Sequence, residues 1–256
     1  MSWVPRALGI ARSLAMYYGV PFRRRRLDRF YSQFVRPGSL AFDIGAHVGN
    51  RTGSWRRLGA RVVAIEPQPD FVRLLRWLFR GDSTVTVLPL AVGAAEGAAR
   101  LMLSERTPTV TTLSSDWAAQ VGESKSFRDV SWTAGPQVEI TTLDALIALY
   151  GTPDFVKVDV EGMEPDVLLG LSRPLPALSF EYLPAVRDRA LACIERLEQF
   201  AGYRYNWSAG ESHRFAAADW LDAGAMRHEL RRMPENAGSG DVYALLDNGG
   251  WAGAGI

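Results

Sequence analysis

The stretch of sequence that decides the fold covers residues 42–50 and reads Phe-Asp-Ile-Gly-Ala-His-Val-Gly-Asn. Its apolar start predicts the end of a buried strand, and the glycines that follow predict a turn. Gly45 and Gly49 carry no Cβ and can adopt positive φ angles, so a ligand can lie directly against the backbone there. Asn50 is a suitable N-cap for the next helix, and Gly59 is a suitable C-cap. The stretch therefore predicts a strand, a ligand-binding turn and a helix.

A second predicted strand, residues 61–65, is followed directly by Glu66 and Pro67. In nucleotide-binding α/β folds, an acid at this point binds the ribose hydroxyls of a cofactor. The turn before this strand lacks the G-x-G-x-x-G spacing that brings backbone amides to a pyrophosphate. It reads D-x-G-x-x-x-G, and Asp43 at its first position would repel a phosphate.

An acid at the start of the turn suits a cationic ligand instead. S-adenosylmethionine carries both a sulfonium and an ammonium group, so we predict that it binds at this turn with its ribose at Glu66. Two other interpretations use the same scaffold: an oxidoreductase that depends on NAD(P), and a catalytically inactive module that only binds a cofactor. Asp43 and the missing third glycine speak against the oxidoreductase.

The rest of the chain alternates strand patterns with helix patterns. The further strands are predicted at residues 85–92 (interrupted at Pro89), 98–103, 138–141, 154–160 and 177–183, with a final antiparallel pair at 203–207 and 241–246. The strand at 154–160 is predicted to be buried except at Lys157 and Asp159. Strands that alternate with helices predict a doubly wound, mostly parallel α/β sheet.

The chain is predicted to have three parts. Residues 1–36 form a helical, arginine-rich extension, residues 37–247 form the main domain, and residues 248–256 form a flexible tail. The extension holds eight arginines and one acid. We interpret it as a helix pair whose arginines are solvated; the alternatives are a lid over the substrate and a patch for anionic sugars or lipid head groups, which would permit peripheral membrane contact.

Composition excludes several classes of protein. The net charge is +1, which is not the electrostatic footprint of a nucleic-acid-binding protein. Cys193 is the only cysteine, so there is no disulfide framework, and we predict a core or flanking position for it in a helix. No apolar run is long enough for a membrane span, and no secretory signal is evident. We therefore expect a cytoplasmic protein.

Four acids fall at the carboxyl ends of predicted strands, namely Asp43, Glu66, Asp159 and Glu181, and Glu161 follows shortly after. Ligands of open α/β sheets bind at this edge. Because an unpaired charge at the end of a buried strand is costly, stability alone does not explain so many acids there. The sequence therefore predicts that they converge on one site.

Methyl transfer to a hydroxyl needs a base that removes the hydroxyl proton. Asp159 and Glu161 are our first candidates for this base, followed by His47 and His213. A second use of the acids is also open, because Asp159, Glu161 and Glu181 could together hold one Mg²⁺ ion that acidifies the hydroxyl. We assign no metal ligand from the D-x-E spacing alone.

The motifs together resemble the FkbM-type methyltransferase family. The resemblance is carried, in the order of the family, by residues 42–49, 65–67, 88–93 (Leu-Pro-Leu-Ala-Val-Gly), 142–144 (Thr-Leu-Asp) and 155–162 (Phe-Val-Lys-Val-Asp-Val-Glu-Gly). It implies a fold of the seven-stranded kind that depends on S-adenosylmethionine. It also implies O-methylation of a hydroxyl on a sugar or on a polyketide-type natural product.

The resemblance further implies roles for individual residues. The methionine part of the cofactor would lie against Asp43, Gly45 and Gly49, the ribose at Glu66, and the adenine beside Leu90 and Ala91. Asp159 and Glu161 would face the transferred methyl group. The complete set of cofactor-binding residues that we predict is Asp43, Gly45, Ala46, His47, Gly49, Asn50, Glu66, Pro67, Leu90, Ala91 and Asp159.

The methyl acceptor is expected to be a small molecule or a glycan hydroxyl, not a nucleic acid. The irregular segment 104–136 contains Trp117 and Trp132 among serines and threonines, and flat aromatic faces can stack on sugar C–H groups. The alternative is that both tryptophans only fix the segment to the core.

Overall fold

The computed structural model describes residues 9, 12–15, 17–19, 23–104, 111–114 and 132–247, and all structural statements below refer to these residues. The helices are α1 (Arg23–Tyr31), α2 (Asn50–Arg57), α3 (Pro69–Leu78), α4 (Leu143–Tyr150), α5 (Glu164–Leu169), α6 (Asp188–Glu198) and α7 (Ala223–Arg232). Residues 12–15 and 17–18 are also helical, as predicted for the N-terminal extension. No helix in the described ranges is long and apolar enough to cross a membrane.

The strands form two sheets. They are β1 (Leu40–Ile44), β2 (Arg61–Ile65), β3 (Val85–Leu88), β4 (Ala91–Val92), β5 (Gly97–Ser104), β6 (Trp132–Thr141), β7 (Phe155–Val158), β8 (Ala177–Tyr182), β9 (Tyr203–Ala209) and β10 (Gly240–Leu246). The large sheet has the order β3-β2-β1-β7-β8-β10-β9, and only β10 is antiparallel to its neighbours. This confirms the doubly wound, mostly parallel, seven-stranded sheet and its antiparallel final pair.

Two helix layers cover the two faces of the large sheet, because successive strand residues point to opposite sides. On one face, Ala41 and Val62 pack with Trp55 of α2, and Ala64 packs with Leu75 of α3. On the other face, α4 to α7 form one continuous apolar core with β1, β7 and β8, which includes the buried Cys193. Burial of a side chain such as Leu75 contributes about 1.5–3 kcal/mol.

The predicted strand at residues 85–92 is wrong as a single strand. Its first half is β3, at the edge of the large sheet, and its second half is β4, which pairs with β6 in a three-stranded sheet of order β4-β6-β5. Pro89 separates the halves because it has no N–H to donate to a strand ladder. The chain therefore leaves one sheet and enters another just where the adenine of a cofactor is expected.

The predicted irregular segment 104–136 is also partly wrong. Strand β6 begins at Trp132 rather than at residue 138, and it pairs with β5 through a register shift between Arg100 and Met102. Within the described part, Thr112 bridges to Met102. Residues 105–110 and 115–131, which include Trp117, lie outside the described residues, as does the predicted tail at 248–256.

The predicted N-cap of α2 is wrong by one residue. The cap position is Gly49, at φ +74°, and Asn50 is the first helical residue. The function of a capping side chain is taken over by Asp43 of β1, whose Oδ2 accepts hydrogen bonds from the backbone N–H (2.9 Å) and from the hydroxyl (2.5 Å) of Thr52. The end of the strand thus stabilises the start of the helix that follows it.

Candidate active site

A cavity of about 360 Å³ lies at the carboxyl ends of β1, β2, β7 and β8. The predicted site residues in its wall are Asp43, Gly45, Ala46, His47, Asn50, Glu66, Pro67, Leu90, Ala91, Asp159, Glu161 and Glu181. They come from segments up to 138 positions apart, and the parallel sheet brings them together because its strands end at one edge. Two predicted residues, Gly49 and His213, do not line the cavity.

Gly49 is a packing residue in this structure. A Cβ at this position would lie 2.6 Å from Cδ2 of Leu75 and 3.0 Å from Cε2 of Phe79, so the glycine allows α3 to pack closely against the turn. This packing role does not require the cofactor contact that the sequence predicts for Gly49, and that contact stays a prediction. The φ angle of +74° is a second reason why glycine is needed here.

Gly45 has a different role from Gly49. Its φ angle is +81°, and a Cβ would overlap the backbone carbonyl oxygen of Asp159. The ends of β1 and β7 can therefore approach each other only when this residue is glycine. The close approach keeps the glycine turn next to the acids that follow β7.

Glu66 is held by two backbone amides. Its Oε2 accepts from the N–H of His47 (2.9 Å) and its Oε1 accepts from the N–H of Gln68 (2.8 Å). Burial raises the pKa of this carboxyl to about 7, although both amide hydrogen bonds lower it. Each oxygen retains a further lone pair that can accept from a ligand hydroxyl.

His47 lies in the cavity wall with its backbone in the left-handed region, at φ +50°. Its ring packs at 4.1 Å from the ring of Phe71 and at 5.8 Å from that of Tyr17. Burial lowers the pKa of the imidazole to about 4, so it is neutral near pH 7. Its Nε2 is buried without a protein partner among the described residues, which leaves it available to a ligand.

His213 does not line the cavity. It is buried, its Nδ1 lies 2.9 Å from the carbonyl oxygen of Glu211, and its ring packs near Phe30 and Tyr31 of α1. This position does not favour His213 as the base. Local sequence could not predict this position, because the aromatic residues that pack near His213 are about 180 positions away.

Lys157 is buried, in contrast to the prediction that it interrupts a buried strand. Its side chain is 2% exposed, and its Nζ lies 2.6 Å from Oδ2 of Asp159 and 3.4 Å from Oδ1 of Asp241. The two carboxylates outweigh the desolvation of the ammonium group and raise the pKa of Lys157. Burial acts to raise the pKa of Asp159, but Lys157 outweighs it, so that the net shift is downward and Asp159 is ionised.

Among the charged residues of the cavity wall, Arg51, Glu211 and Asp241 were not predicted from the sequence. Nη2 of Arg51 lies 2.7 Å from Oε1 of Glu211 and 3.9 Å from Oδ2 of Asp241. One signal was available for Arg51, since a cation in the first turn of a helix is unfavourable for the helix itself. A signal was also available for Asp241, because an antiparallel strand begins at the edge where its parallel neighbours end.

The carboxylates of Asp159, Glu161 and Glu181 form a cluster in which one oxygen of each lies within 4.8 Å of the others. Burial, followed by mutual repulsion, raises the pKa values of Glu161 and Glu181 well above the usual range. Glu161 is at φ +52°, and its carbonyl oxygen accepts from the hydroxyl of Thr112 (2.7 Å). The cluster can share protons or receive a cation.

Three solved structures illustrate the similarity of this chain to known proteins. The precorrin-6Y C5,15-methyltransferase of Geobacter metallireducens is 12% identical, with 86% of each chain covered and a TM-score of 0.44. An rRNA methylase of Streptococcus thermophilus is 10% identical, and the match covers 86% of this chain and 93% of the methylase with a TM-score of 0.44. The O-methyltransferase of Bacillus cereus is 14% identical, and the match covers 95% of this chain and 89% of that enzyme with a TM-score of 0.41.

A comparison with curated proteins found no match. The model of the methyltransferase FkbM domain, in contrast, matches residues 43–233, about three quarters of the chain. The matched region starts at Asp43 in the glycine turn and includes all the acids of the cluster. The chain therefore belongs to the FkbM family of methyltransferases.

Proposed function

We propose that this methyltransferase binds S-adenosylmethionine in the cavity and transfers its methyl group to a hydroxyl oxygen of a sugar, glycoconjugate or polyketide-type acceptor. The observation that carries the proposal is the position of Glu66. Its carboxylate is oriented by two amides at the end of β2, beside the glycine turn and facing the same cavity as the acid cluster.

The cofactor would lie along the carboxyl edge of the sheet. Glu66 would accept from the ribose hydroxyls, as acids at this position do in related folds. The backbone at Gly45 and Ala46 would contact the methionine part, and Leu90 and Ala91 would border the adenine. Asp43 is largely engaged with Thr52, so its contribution would be the shape of the turn and a negative charge near the sulfonium.

Transfer would proceed by attack of the acceptor oxygen on the methyl carbon. The new O–C bond forms as the S–C bond breaks, the electron pair of the broken bond stays on sulfur, and the hydroxyl proton goes to a carboxylate. The protein has to align donor and acceptor and exclude water. Little covalent help is needed, because the sulfonium is already an activated donor.

Glu161 is the better candidate for the base, and Asp159 for the group that stabilises the sulfonium. Asp159 is already paired with Lys157 at 2.6 Å, which lowers its affinity for a proton. Glu161 has a raised pKa, and a carboxylate with a higher pKa is the stronger base once it is ionised. The positive charge of the bound cofactor would favour that ionised form.

Substitution of the two acids tests this division of roles. Glu161→Gln is expected to lower kcat by roughly two to four orders of magnitude, with little change in cofactor affinity. Asp159→Asn is expected to lower both kcat and cofactor affinity, because it removes a negative charge near the sulfonium. Full turnover of both variants would show that the proton leaves by another route.

A divalent cation is a second use of the cluster. Three carboxylates within 4.8 Å offer the oxygen ligands that Mg²⁺ prefers, and the ion would acidify an acceptor hydroxyl. Lys157 occupies one oxygen of Asp159, which argues for an incomplete ligand set. Turnover that is lost after chelation and restored by Mg²⁺ would support the ion; turnover unchanged by a chelator would contradict it.

The cofactor and the acceptor are tested separately. Calorimetry with S-adenosylmethionine, S-adenosylhomocysteine and NAD is expected to show binding of the first two, and tighter binding of NAD would overturn the cofactor assignment. A screen with cofactor labelled in the methyl group should then include sugars, lipid-linked glycans, polyketides, phenols and nucleic acids. Incorporation only into phenols or nucleic acids would contradict the proposed acceptor class.

A further inference from the structure

Positive charge is concentrated in one part of the chain. Residues 23–82 contain thirteen arginines and five acids, a net formal charge of +8, in a chain whose total is +1. These residues include α1, α2 and α3, which all pack on the same face of the large sheet. The three helices and their connections are called the basic face below.

Most arginines of the basic face are exposed and have no carboxylate partner within 4 Å in the described part of the chain. The exposed arginines without such a partner are Arg24, Arg25, Arg26, Arg29, Arg36, Arg61, Arg76 and Arg80. Three acids of the region are paired with other arginines, namely Asp28 with Arg57, Asp70 with Arg73 and Asp82 with Arg56. The described part of the protein therefore leaves this surface charge uncompensated.

Helix stability does not explain the arginines at the start of α1. The first turn of this helix holds Arg23 to Arg26 and no acid. The N-terminus of a helix carries a partial positive charge, so cations there are unfavourable and anions favourable. The run thus weakens the helix that contains it, and a binding role outside the protein accounts for it better.

An aromatic side chain stands among the arginines. Trp77 of α3 is 66% exposed. Arg73, Arg76 and Arg80 all lie within four positions of it, in the helix or just after its end. A depression next to this helix end is lined by Arg76, Phe79, Gly81, Asp82, Ser83, Val85 and Val87. Tryptophan beside arginine is typical of surfaces that meet the head-group region of a bilayer.

We propose that the basic face docks on the surface of an anionic lipid bilayer. Clustered arginines are attracted to the negative potential of such a surface, and Trp77 can enter the head-group layer. The exposed indole of Trp77 suits the head-group layer of a bilayer better than a phosphodiester backbone. This inference does not depend on the identity of the methyl acceptor.

The orientation would bring the cavity to the membrane. Nη2 of Arg23, at the start of α1, lies 3.4 Å from Oε2 of Glu211, and Glu211 lines the cavity. Tyr17, from the helical segment before α1, lines it as well, and its ring is 5.4 Å from the guanidinium of Arg23. The basic face therefore reaches the rim of the cavity, and a docked molecule would present that rim at the lipid surface.

Vesicle sedimentation of the full chain tests the proposal. We expect binding to vesicles of phosphatidylcholine with about 30 mol% phosphatidylglycerol, no binding to pure phosphatidylcholine, and release at high salt because screening shortens the range of the attraction. The triple variant Arg25→Gln, Arg29→Gln and Arg76→Gln should bind roughly tenfold more weakly or worse.

A matched control removes the same charge elsewhere. Arg173, Arg231 and Arg232 are exposed and lie outside the basic face, the latter two at the end of α7 on the opposite helix layer. Their triple replacement by Gln should leave vesicle binding within about twofold of the wild type. Trp77→Ser, at an exposed position, should weaken binding while leaving its salt dependence unchanged.

Three results would overturn the proposal. One is equal binding to neutral and anionic vesicles. Another is an equal loss of binding in the control triple variant, which would make net charge the cause and not this face. The last is tighter binding of a duplex DNA or RNA oligonucleotide than of anionic vesicles, with the oligonucleotide binding lost in the Arg25, Arg29 and Arg76 triple variant. That result would make the basic face a nucleic-acid-binding surface.

Discussion

The carboxylates of Asp43 and Glu66 lie at the ends of adjacent strands, but they make different hydrogen bonds. Asp43 uses its Oδ2 for two bonds to Thr52 and thereby joins β1 to α2. Glu66 uses one lone pair of each oxygen for a backbone amide and keeps the others. The first acid therefore builds the turn, and the second is prepared for a ligand.

Replacement of Glu66 should affect cofactor binding. Glu66→Ala removes charge-assisted hydrogen bonds to the ribose, and we expect S-adenosylhomocysteine affinity to fall by about 1.5–3 kcal/mol for each bond lost. The control is Thr52→Val, which removes a hydroxyl bond to Asp43 and should change stability more than affinity. Calorimetry with the folded variants distinguishes these outcomes, and unchanged affinity in Glu66→Ala would refute the ribose assignment.

Lys157 balances two buried carboxylates. In Lys157→Met, Asp159 and Asp241 would lose their nearest cation, and we expect the free energy of unfolding to fall by about 3–5 kcal/mol. The double variant Lys157→Met, Asp241→Asn should recover part of the loss, because only one uncompensated charge remains. Denaturant unfolding measures the stability of the single and the double variant. A Lys157→Met variant as stable as the wild type would contradict the buried ion pairs.

At the scale of elements, the glycine turn depends on contact between β1 and β7. Gly45→Ala would drive a Cβ into the carbonyl of Asp159 and would also strain the backbone at φ +81°. We expect a loss of several kcal/mol and weaker cofactor binding. Gly97→Ala is the matched control, since a Cβ there meets nothing within 4 Å, and it should stay within about 0.5 kcal/mol of the wild type in thermal unfolding.

The strand–turn–helix unit could be predicted from sequence because its signals are local. Apolar runs, glycines and the acids at strand ends are all read within a few residues, and parallel strands bring such ends to one edge. The change of sheet after Pro89 was visible only as an interruption, since local sequence does not say which strand the chain pairs with next. Pairing of β4 with Ile140 and Thr141 is a long-range choice.

Long-range ion pairs limit what could be predicted of the site. Arg51 and Glu211 are 160 positions apart, and Lys157 is 84 positions from Asp241. A lysine in an apolar strand pattern is ordinarily read as an exposed interruption, because an unpaired buried ammonium is very costly. Asp159 is a local counter-ion of Lys157, but the second one, Asp241, reaches it through the antiparallel insertion of β10 beside β8.

At the scale of the whole molecule, buried acids make stability depend on pH. Burial raises the pKa values of Glu66 and Glu164 to about 7, above the values of an unfolded chain. The folded state then binds more protons than the unfolded state between roughly pH 4.5 and 7. The contribution of Glu66 and Glu164 to folding stability is therefore present at low pH and is lost as the pH rises through about 7.

The contribution of one such acid can be isolated with Glu164→Gln. The amide oxygen of glutamine can still accept from the N–H groups of Val160 and Gly162, as Oε1 of Glu164 does. We expect the wild type to lose stability relative to this variant as pH rises from 5 to 8, by about 1.4 kcal/mol per unit of pKa shift. A stability difference that is constant with pH would contradict the raised pKa.

The antiparallel strand β10 has a consequence for the order in which the molecule is made. Glu211 and Asp241, which balance Arg51 and Lys157, both belong to the last segments described, whereas the glycine turn is synthesised early. A nascent chain that ends before β9 contains the turn and Glu66 but leaves both buried cations short of counter-ions. Competence to bind the cofactor should therefore be acquired late, and ribosome-bound chains of increasing length should gain it only after residue 246 has emerged.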